Sequence, residues 1–249
     1  MNERKVVIVT GGARGIGAAT SRRFTREGWQ SIALDVRKPE GPPEEGTEFR
    51  LCNVTDEAEV RDVVKDVVGQ RGRIDALVNV AGVVLVKPLV ETEWREYRHI
   101  VDVNIGGTFL MLKHVLPIMQ SQRRGSIVNL GSVSGHVGQV DHALYGATKA
   151  AVIALCRGLS WELAPYGIRI NSVSPGSVDT PMLRNDIKIE SGRTGLSFDE
   201  VKAKRELEQA FGRWADPAEI ASAVYFLVSG EASFVTGADL LVDCGWVAR

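Results

Sequence analysis

The sequence predicts a single-domain α/β fold: a doubly wound parallel sheet of about seven strands with helices on both faces. Short apolar runs alternate with amphipathic stretches along the whole chain. Several of the runs are apolar at successive positions, the pattern of strands covered on both faces. The length of 249 residues, with 44% apolar and 24% charged residues, suits one large globular domain. Strand–helix alternation implies right-handed crossovers, which place helices on both sides of the sheet.

The first run, KVVIVT at 5–10, leads into a glycine-rich turn and a helical pattern over 15–28, where Ile16, Ala19, Phe24 and Trp29 come near one another. SIALDV (31–36) is the second strand. The Pro/Gly/Glu-rich 38–46 is too short to separate domains and reads as the loop that follows. EFRLCN (48–53) precedes a helix over 56–71, with Thr55 as N-cap and Val60, Val63, Val64, Val67 and Val68 at helical spacing. IDALVNVAG (74–82) is followed by a long helix over 92–122, GSIVNLGS (125–132) by a helix over 143–166, and then comes IRINSVSPG (168–176). The helix over 217–229 starts with Asp216 as cap and Pro217 in its first turn, and ADLLVD (238–243) is the last strand. The segment 183–213 is polar, mixed in charge and less regular. It follows the sixth strand, at the strand ends where open α/β sheets bind ligands, and its length favours a substrate-covering flap.

Charge and cysteine usage narrow the function. The formal net charge of −1 supplies no basic field for nucleic acid or an anionic membrane. No apolar run approaches the ~18 residues that span a bilayer, and the N-terminal residues lack a secretory pattern. Cys52, Cys156 and Cys244 are far apart without a C-x-x-C pair, so neither a metal site nor a disulfide framework is expected. Free thiols of a cytoplasmic protein are the expectation.

The turn Thr10-Gly11-Gly12-Ala13-Arg14-Gly15-Ile16-Gly17 follows a strand and opens a helix. Gly11 allows the tight turn, Gly15 lets backbone approach a phosphate, and Gly17 lets the helix pack closely on the sheet. The helix start offers N–H donors and a positive dipole end to a pyrophosphate. Asp35, at the end of the second strand and eighteen residues beyond Gly17, completes the dinucleotide pattern. A carboxylate there accepts hydrogen bonds from ribose hydroxyls and repels a 2′-phosphate, which favours NAD over NADP. Arg14 and Arg37 argue the other way, since a guanidinium can pair with that phosphate; Arg37 reads as a surface arginine.

Tyr145 and Lys149 lie one helical turn apart, and Ser132 thirteen positions before the tyrosine. A cation beside a phenol favours phenolate, so Lys149 is expected to draw the Tyr145 pKa down toward neutrality, where it transfers protons efficiently. The Ser132 hydroxyl is placed to hold the reacting oxygen.

TGGARGIG, NVAG (79–82), Asn104, Ser132, YGATK (145–149) and PGSVDT (175–180), in that order, resemble the short-chain dehydrogenase/reductase family over essentially the whole length. The resemblance implies a Rossmann-type fold that binds a nicotinamide dinucleotide, NAD in view of Asp35, and a Ser-Tyr-Lys-Asn site. Tyr145 is then the general acid/base, Lys149 lowers its pKa and binds the nicotinamide ribose, Ser132 stabilises the substrate oxygen, and Asn104 holds a water in a proton relay. It also implies cofactor contacts by Asn53 and Val54, by Asn79, Ala81 and Gly82, and by Pro175, Gly176, Val178 and Thr180. Asn53 stands where the family has aspartate, Val80 where asparagine is commoner, and Cys244 where the family has glycine. Substrate contacts are expected from Ser134, His136, Gln139, His142, Val84 and Met182, a mixture suited to a small, hydroxylated or cyclic secondary alcohol, while His99 and His114 read as structural or surface residues. A homotetramer or dimer is implied, pairing the 92–122 and 143–166 helices; the sequence adds apolar positions such as Val152, Leu155 and Leu159 beyond what one core face accounts for. The alternatives are an NADPH-dependent 3-ketoacyl-type reductase and, in another class, a catalytically silent dinucleotide-binding regulator.

Overall fold

The computed structural model describes residues 4–41 and 45–248; residues 42–44 of the 38–46 loop lie outside it. The strands are β1 (Val6–Thr10), β2 (Gln30–Asp35), β3 (Thr47–Leu51), β4 (Ala76–Asn79), β5 (Gly125–Leu130), β6 (Ile168–Pro175) and β7 (Asp239–Val242). The helices are α1 (Gly15–Arg26), α2 (Glu57–Arg71), α3 (Trp94–Val101), α4 (Thr108–Gln122), α5 (Ala143–Leu163), α6 (Pro181–Thr194), α7 (Phe198–Glu206) and α8 (Pro217–Val228). All neighbouring strands are parallel, in the order β3-β2-β1-β4-β5-β6-β7. The direction of growth reverses between β1 and β4, and a crevice opens at such a switch point.

The successive apolar positions of the strands divide between two cores. Val6 and Ile8 of β1 pack with Val60, Val64 and Met111 under α2, α4 and α5, whereas Val7 and Val9 pack with Phe24, Ile220 and Val224 under α1 and α8. A strand covered on both faces buries every residue, which is why these runs do not alternate. Phe24 meets Trp29 and Tyr225 edge-on, at ring-centre distances of 5.1 and 5.4 Å.

Some elements differ from expectation. The N-cap of α2 is Asp56, not Thr55: the Asp56 carboxylate accepts from the N–H groups of Ala58 and Glu59, while the Thr55 hydroxyl donates to Asn53 Oδ1 at 2.9 Å. A carboxylate is the better acceptor at the positive end of a helix. The 92–122 helix is not uniform, because a π-helical turn, Asp102–Gly107, joins α3 to α4. There the backbone is drawn close to its neighbours: a Cβ on Gly107 would lie 2.6 Å from Val54 Cγ2, and the Asn104 amide bonds the backbone of Val83.

The 183–213 segment is largely helical. Thr180 caps α6, Ser197 and Glu200 form a capping box on α7, and Ile187, Val201 and Trp214 make a small separate core. Val152 is buried, and the partly buried Leu155 and Leu159 pack against the main core, which accounts for these three; Trp161 of α5 is 86% exposed. Cys244 adopts a left-handed φ of 51°, which explains why glycine is usual there, and its Sγ accepts the Phe211 N–H at 3.2 Å. Among the described residues no helix is long and apolar enough to cross a membrane.

Candidate active site

A cleft of about 650 Å³ lies over the carboxyl ends of the strands. It is lined by Gly11, Arg14, Gly15, Ile16, Gly17, Asp35, Asn53, Val54, Ala81, Gly82, Pro175, Gly176, Val178 and Thr180. Ser132, Tyr145 and Lys149 lie along the same cleft, as do Val84, Ser134, Gln139, His142 and Met182. Residues more than a hundred positions apart are therefore brought together, because every βα loop of a parallel sheet emerges at the same end.

One half is built from the glycine turn. Gly11 has φ +65°, and a Cβ on Gly17 would sit 2.1 Å from the Gly11 carbonyl oxygen. The Thr10 hydroxyl accepts the N–H groups of Val80 and Ala81 at 3.0 and 3.1 Å, pinning the loop after β4 against this turn. Arg14 at the N-cap of α1 makes no side-chain capping bond, so the helix start presents its donors uncapped by protein side chains. The Asp35 carboxylate accepts the Ala13 N–H through Oδ2 and the Arg37 N–H through Oδ1, each at 3.1 Å, which holds it beside the glycine turn. Arg37, exposed as expected, also lines the cleft, next to Asp35. Asn53 Oδ1 accepts from the Thr55 N–H and hydroxyl, shaping the loop after β3. An uncapped helix start, a glycine cradle and a carboxylate at the end of β2 fit an adenine dinucleotide.

The other half holds Ser132, Tyr145 and Lys149. Ser132 follows β5; its Oγ accepts the Ser134 N–H at 3.2 Å, and its hydroxyl hydrogen-bonds the Tyr145 phenol. Tyr145 lies in the first turn of α5. Lys149, buried one turn later, donates to the Leu130 carbonyl at 2.8 Å, with its Nζ 5.8 Å from the centre of the Tyr145 ring. Burial pushes the Tyr145 phenol up to about 12; the Ser132 hydrogen bond opposes this and the negative charge of Asp186 adds to it. Burial pushes the Lys149 ammonium down to about 8. The expected depression of the phenol by the neighbouring cation is therefore overturned in the protein alone, because desolvation favours the neutral form of both groups.

Three predicted residues do not line the cleft. Asn104 lies behind its wall: Oδ1 accepts the Val83 N–H at 2.8 Å, and Nδ2 donates to the Val83 carbonyl and the Thr148 hydroxyl, each at 3.0 Å. It is nonetheless adjacent to the lysine, since a Cβ on Gly82 would lie 3.3 Å from Asn104 Oδ1 and 3.5 Å from Lys149 Nζ. Asn79 donates to Asn129 Oδ1 at 2.8 Å, its register partner on β5, and is buried within the sheet. His136 follows a short 3-10 turn and is held by Asp239 of β7, Nε2 to Oδ2 2.7 Å.

Several residues that line the cleft were not expected there from the sequence. His99, expected to be structural or at the surface, is exposed and lines the cleft, as do Asp186, Arg205 and Trp246. Asp186 and Arg205 belong to no motif. No periodicity singles them out, because the apolar residues of α6 do not form one stripe.

The comparisons with known proteins agree with this architecture. A family model described as enoyl-(acyl carrier protein) reductase matches residues 11–247. An L-fucose dehydrogenase of Oryctolagus cuniculus is 39% identical over 97% of this chain and 84% of its own length. A 3-oxoacyl-(acyl-carrier-protein) reductase of Thermotoga maritima is 38% identical over 98% of each chain. The ligand-free aldohexose dehydrogenase of Thermoplasma acidophilum superimposes with a TM-score of 0.92 and 35% identity, over 99% of this chain and 95% of that one. ElxO, solved with NADP bound, has a TM-score of 0.89 and 31% identity, over 99% of this chain and 100% of that one. The fold and site define a nicotinamide-type oxidoreductase. The chain belongs to the short-chain dehydrogenase/reductase family.

Proposed function

We propose that the protein transfers a hydride between NAD(H) and a small, hydroxylated or cyclic secondary alcohol or ketone, with Ser132, Tyr145 and Lys149 as the groups that touch the reacting atoms or the cofactor, and Asn104 behind them. The observation that carries this reading is the convergence of those three cleft residues opposite the Asp35-anchored glycine turn. The glycine turn and the start of α1 hold the pyrophosphate, Asp35 the adenosine ribose, and Asn53, Val54, Ala81, Gly82, Pro175, Gly176, Val178 and Thr180 the remaining contacts. The bound nicotinamide supplies the hydride donor or acceptor. Tyr145 exchanges a proton with the substrate oxygen: as a neutral phenol it gives the proton to a carbonyl being reduced, and as phenolate it takes one from an alcohol being oxidised. Ser132, hydrogen-bonded to that phenol, stabilises the oxygen as negative charge develops. Lys149 places a positive charge in a dry wall of the cleft, where it favours phenolate at the moment the proton leaves.

Asp35 supports NAD; Arg14 and Arg37 on the same rim are the features an NADP-dependent reductase would use. A homotetramer or dimer in the cytoplasm is part of the same proposal. The test is a broad panel of secondary alcohols and ketones, followed through reduced-cofactor absorbance with both dinucleotides. Turnover favouring NAD supports the proposal. Turnover only of acyl-thioester ketones with NADPH favours the 3-ketoacyl reductase alternative, and failure to bind either dinucleotide overturns every enzymatic version.

A further inference from the structure

Asp186 is buried where burial is costly. Most of α6 faces solvent, yet Asp186 and Ile187 turn inward, the aspartate to 5% exposure. A carboxylate taken out of water needs hydrogen-bond donors in return, and Asp186 Oδ1 has no partner in the protein. The side chain borders the cleft.

Its neighbours do not explain it. The Arg205 guanidinium is 3.8 Å from Asp186 Oδ2, beyond hydrogen-bond reach. Arg205 donates instead to Glu190 Oε2, from Nε at 3.1 Å and Nη2 at 2.7 Å, and Glu208 lies at 4.0 Å. Glu190 already answers that cation, so the Asp186 carboxylate is surplus to it. His142 has its Nδ1 2.7 Å from the Val140 carbonyl oxygen, which fixes a proton on that nitrogen. Ser134 and Gln139, two further polar groups of the cleft, are hydrogen-bonded to each other. The negative charge of Asp186 is also felt by the Tyr145 phenol, so the carboxylate lies within electrostatic range of the proton-transferring group.

We propose that Asp186 is a substrate-binding residue whose carboxylate accepts a hydrogen bond from a second hydroxyl of the substrate, so that the preferred substrates are neutral polyhydroxylated alcohols. This rests on the oxidoreductase reading of the same cleft and narrows its substrate class. A substrate hydroxyl supplies a donor to a carboxylate that has none within hydrogen-bond reach in the protein. A bare hydrocarbon ring leaves the carboxylate desolvated and unbonded, and a carboxylate or phosphate group is repelled by it. Discrimination of this kind is strong, because a site built to bond a hydroxyl rejects the analogue without one.

The test uses the full chain with its dinucleotide and compares kcat/KM for cyclohexanol, cis- and trans-1,2-cyclohexanediol and a set of aldopyranoses. The expected result is a preference of at least about 100-fold for the best polyhydroxylated compound over cyclohexanol. Asp186→Leu is expected to reduce that ratio to near one and Asp186→Asn to cut it about tenfold or more, with dinucleotide affinity and thermal midpoint measured as folding controls. The isosteric Asn variant decides the matter if the Leu variant fails to fold. A wild-type enzyme that favours cyclohexanol, or a ratio unchanged in the variants, overturns the inference while leaving the oxidoreductase reading intact. Turnover of none of these alcohols or of their ketones overturns both.

Discussion

The Lys149 ammonium lies 5.8 Å from the centre of the Tyr145 ring and directs its hydrogen bond to the Leu130 carbonyl, not to the phenol. The two side chains share a face of α5, and both are shifted toward neutrality by burial. The protein therefore holds a protonated phenol and a cation of reduced basicity side by side. Under the proposed mechanism, charge developing on the substrate oxygen would be met by a cation poorly screened by water.

Tyr145→Phe removes the proton donor and keeps the ring. Its kcat is expected to fall by ~10³-fold or more, with dinucleotide affinity changed only several-fold. Steady-state rates and a binding titration check this together. A variant that retains more than about a tenth of wild-type turnover sinks the assigned role.

Lys149→Met is expected to lose activity yet gain stability near pH 7. The folded pKa of Lys149, about 8, lies below its ordinary 10.5, so the native state releases this proton first as pH rises. Wild-type stability from this group accordingly increases between about pH 8 and 10.5, and below pH 8 the buried charge costs on the order of 3 kcal/mol. Tyr145, raised from 10 to about 12, acts in the opposite sense above pH 10, which leaves pH 8–10 as the informative window. Urea unfolding of both proteins across that window should show a rise for wild type that the Met variant lacks.

Asp35→Ser removes the carboxylate held by the Ala13 and Arg37 N–H groups and leaves Arg14 and Arg37 on the rim. The ratio of kcat/KM for NAD to that for NADP should fall at least tenfold, because the like-charge repulsion of a 2′-phosphate is gone. An unchanged ratio rejects Asp35 as the selector.

Gly17→Ala should abolish dinucleotide binding and cost at least about 2 kcal/mol, since the new methyl would lie 2.1 Å from the Gly11 carbonyl and the backbone must move. Calorimetric titration and thermal unfolding read the two effects separately.

Arg169→Ala tests stability far from the cleft. This guanidinium donates to the carbonyls of Leu227, Val228, Ser229 and Val235, which closes the end of α8. Its removal is expected to cost roughly 3 kcal/mol, because buried carbonyls lose a charged donor. Dinucleotide affinity per folded molecule should be preserved.

The parts legible in the sequence share one property: their meaning is local. Successive apolar residues report two-sided burial wherever the strand ends up, and Gly11, Gly15 and Gly17 report a turn whose conformation only glycine accepts cheaply. Ser132, Tyr145 and Lys149 were legible because a helical turn fixes the last two as neighbours, whatever the sheet order. The capping of α6 and α7 was present in Thr180 and Ser197, but mixed charge around them hid it.

What the chain order alone determined was the set of parts: seven strands, a dinucleotide turn, and a tyrosine one turn from a lysine. The tertiary structure decided which groups face the cleft. It turned His136 toward Asp239 and Asn79 into the sheet, brought Asp186 inward on α6, and set burial above the nearby ammonium in controlling the Tyr145 phenol. Desolvation depends on everything packed around a group, and residues distant along the chain supply most of that packing.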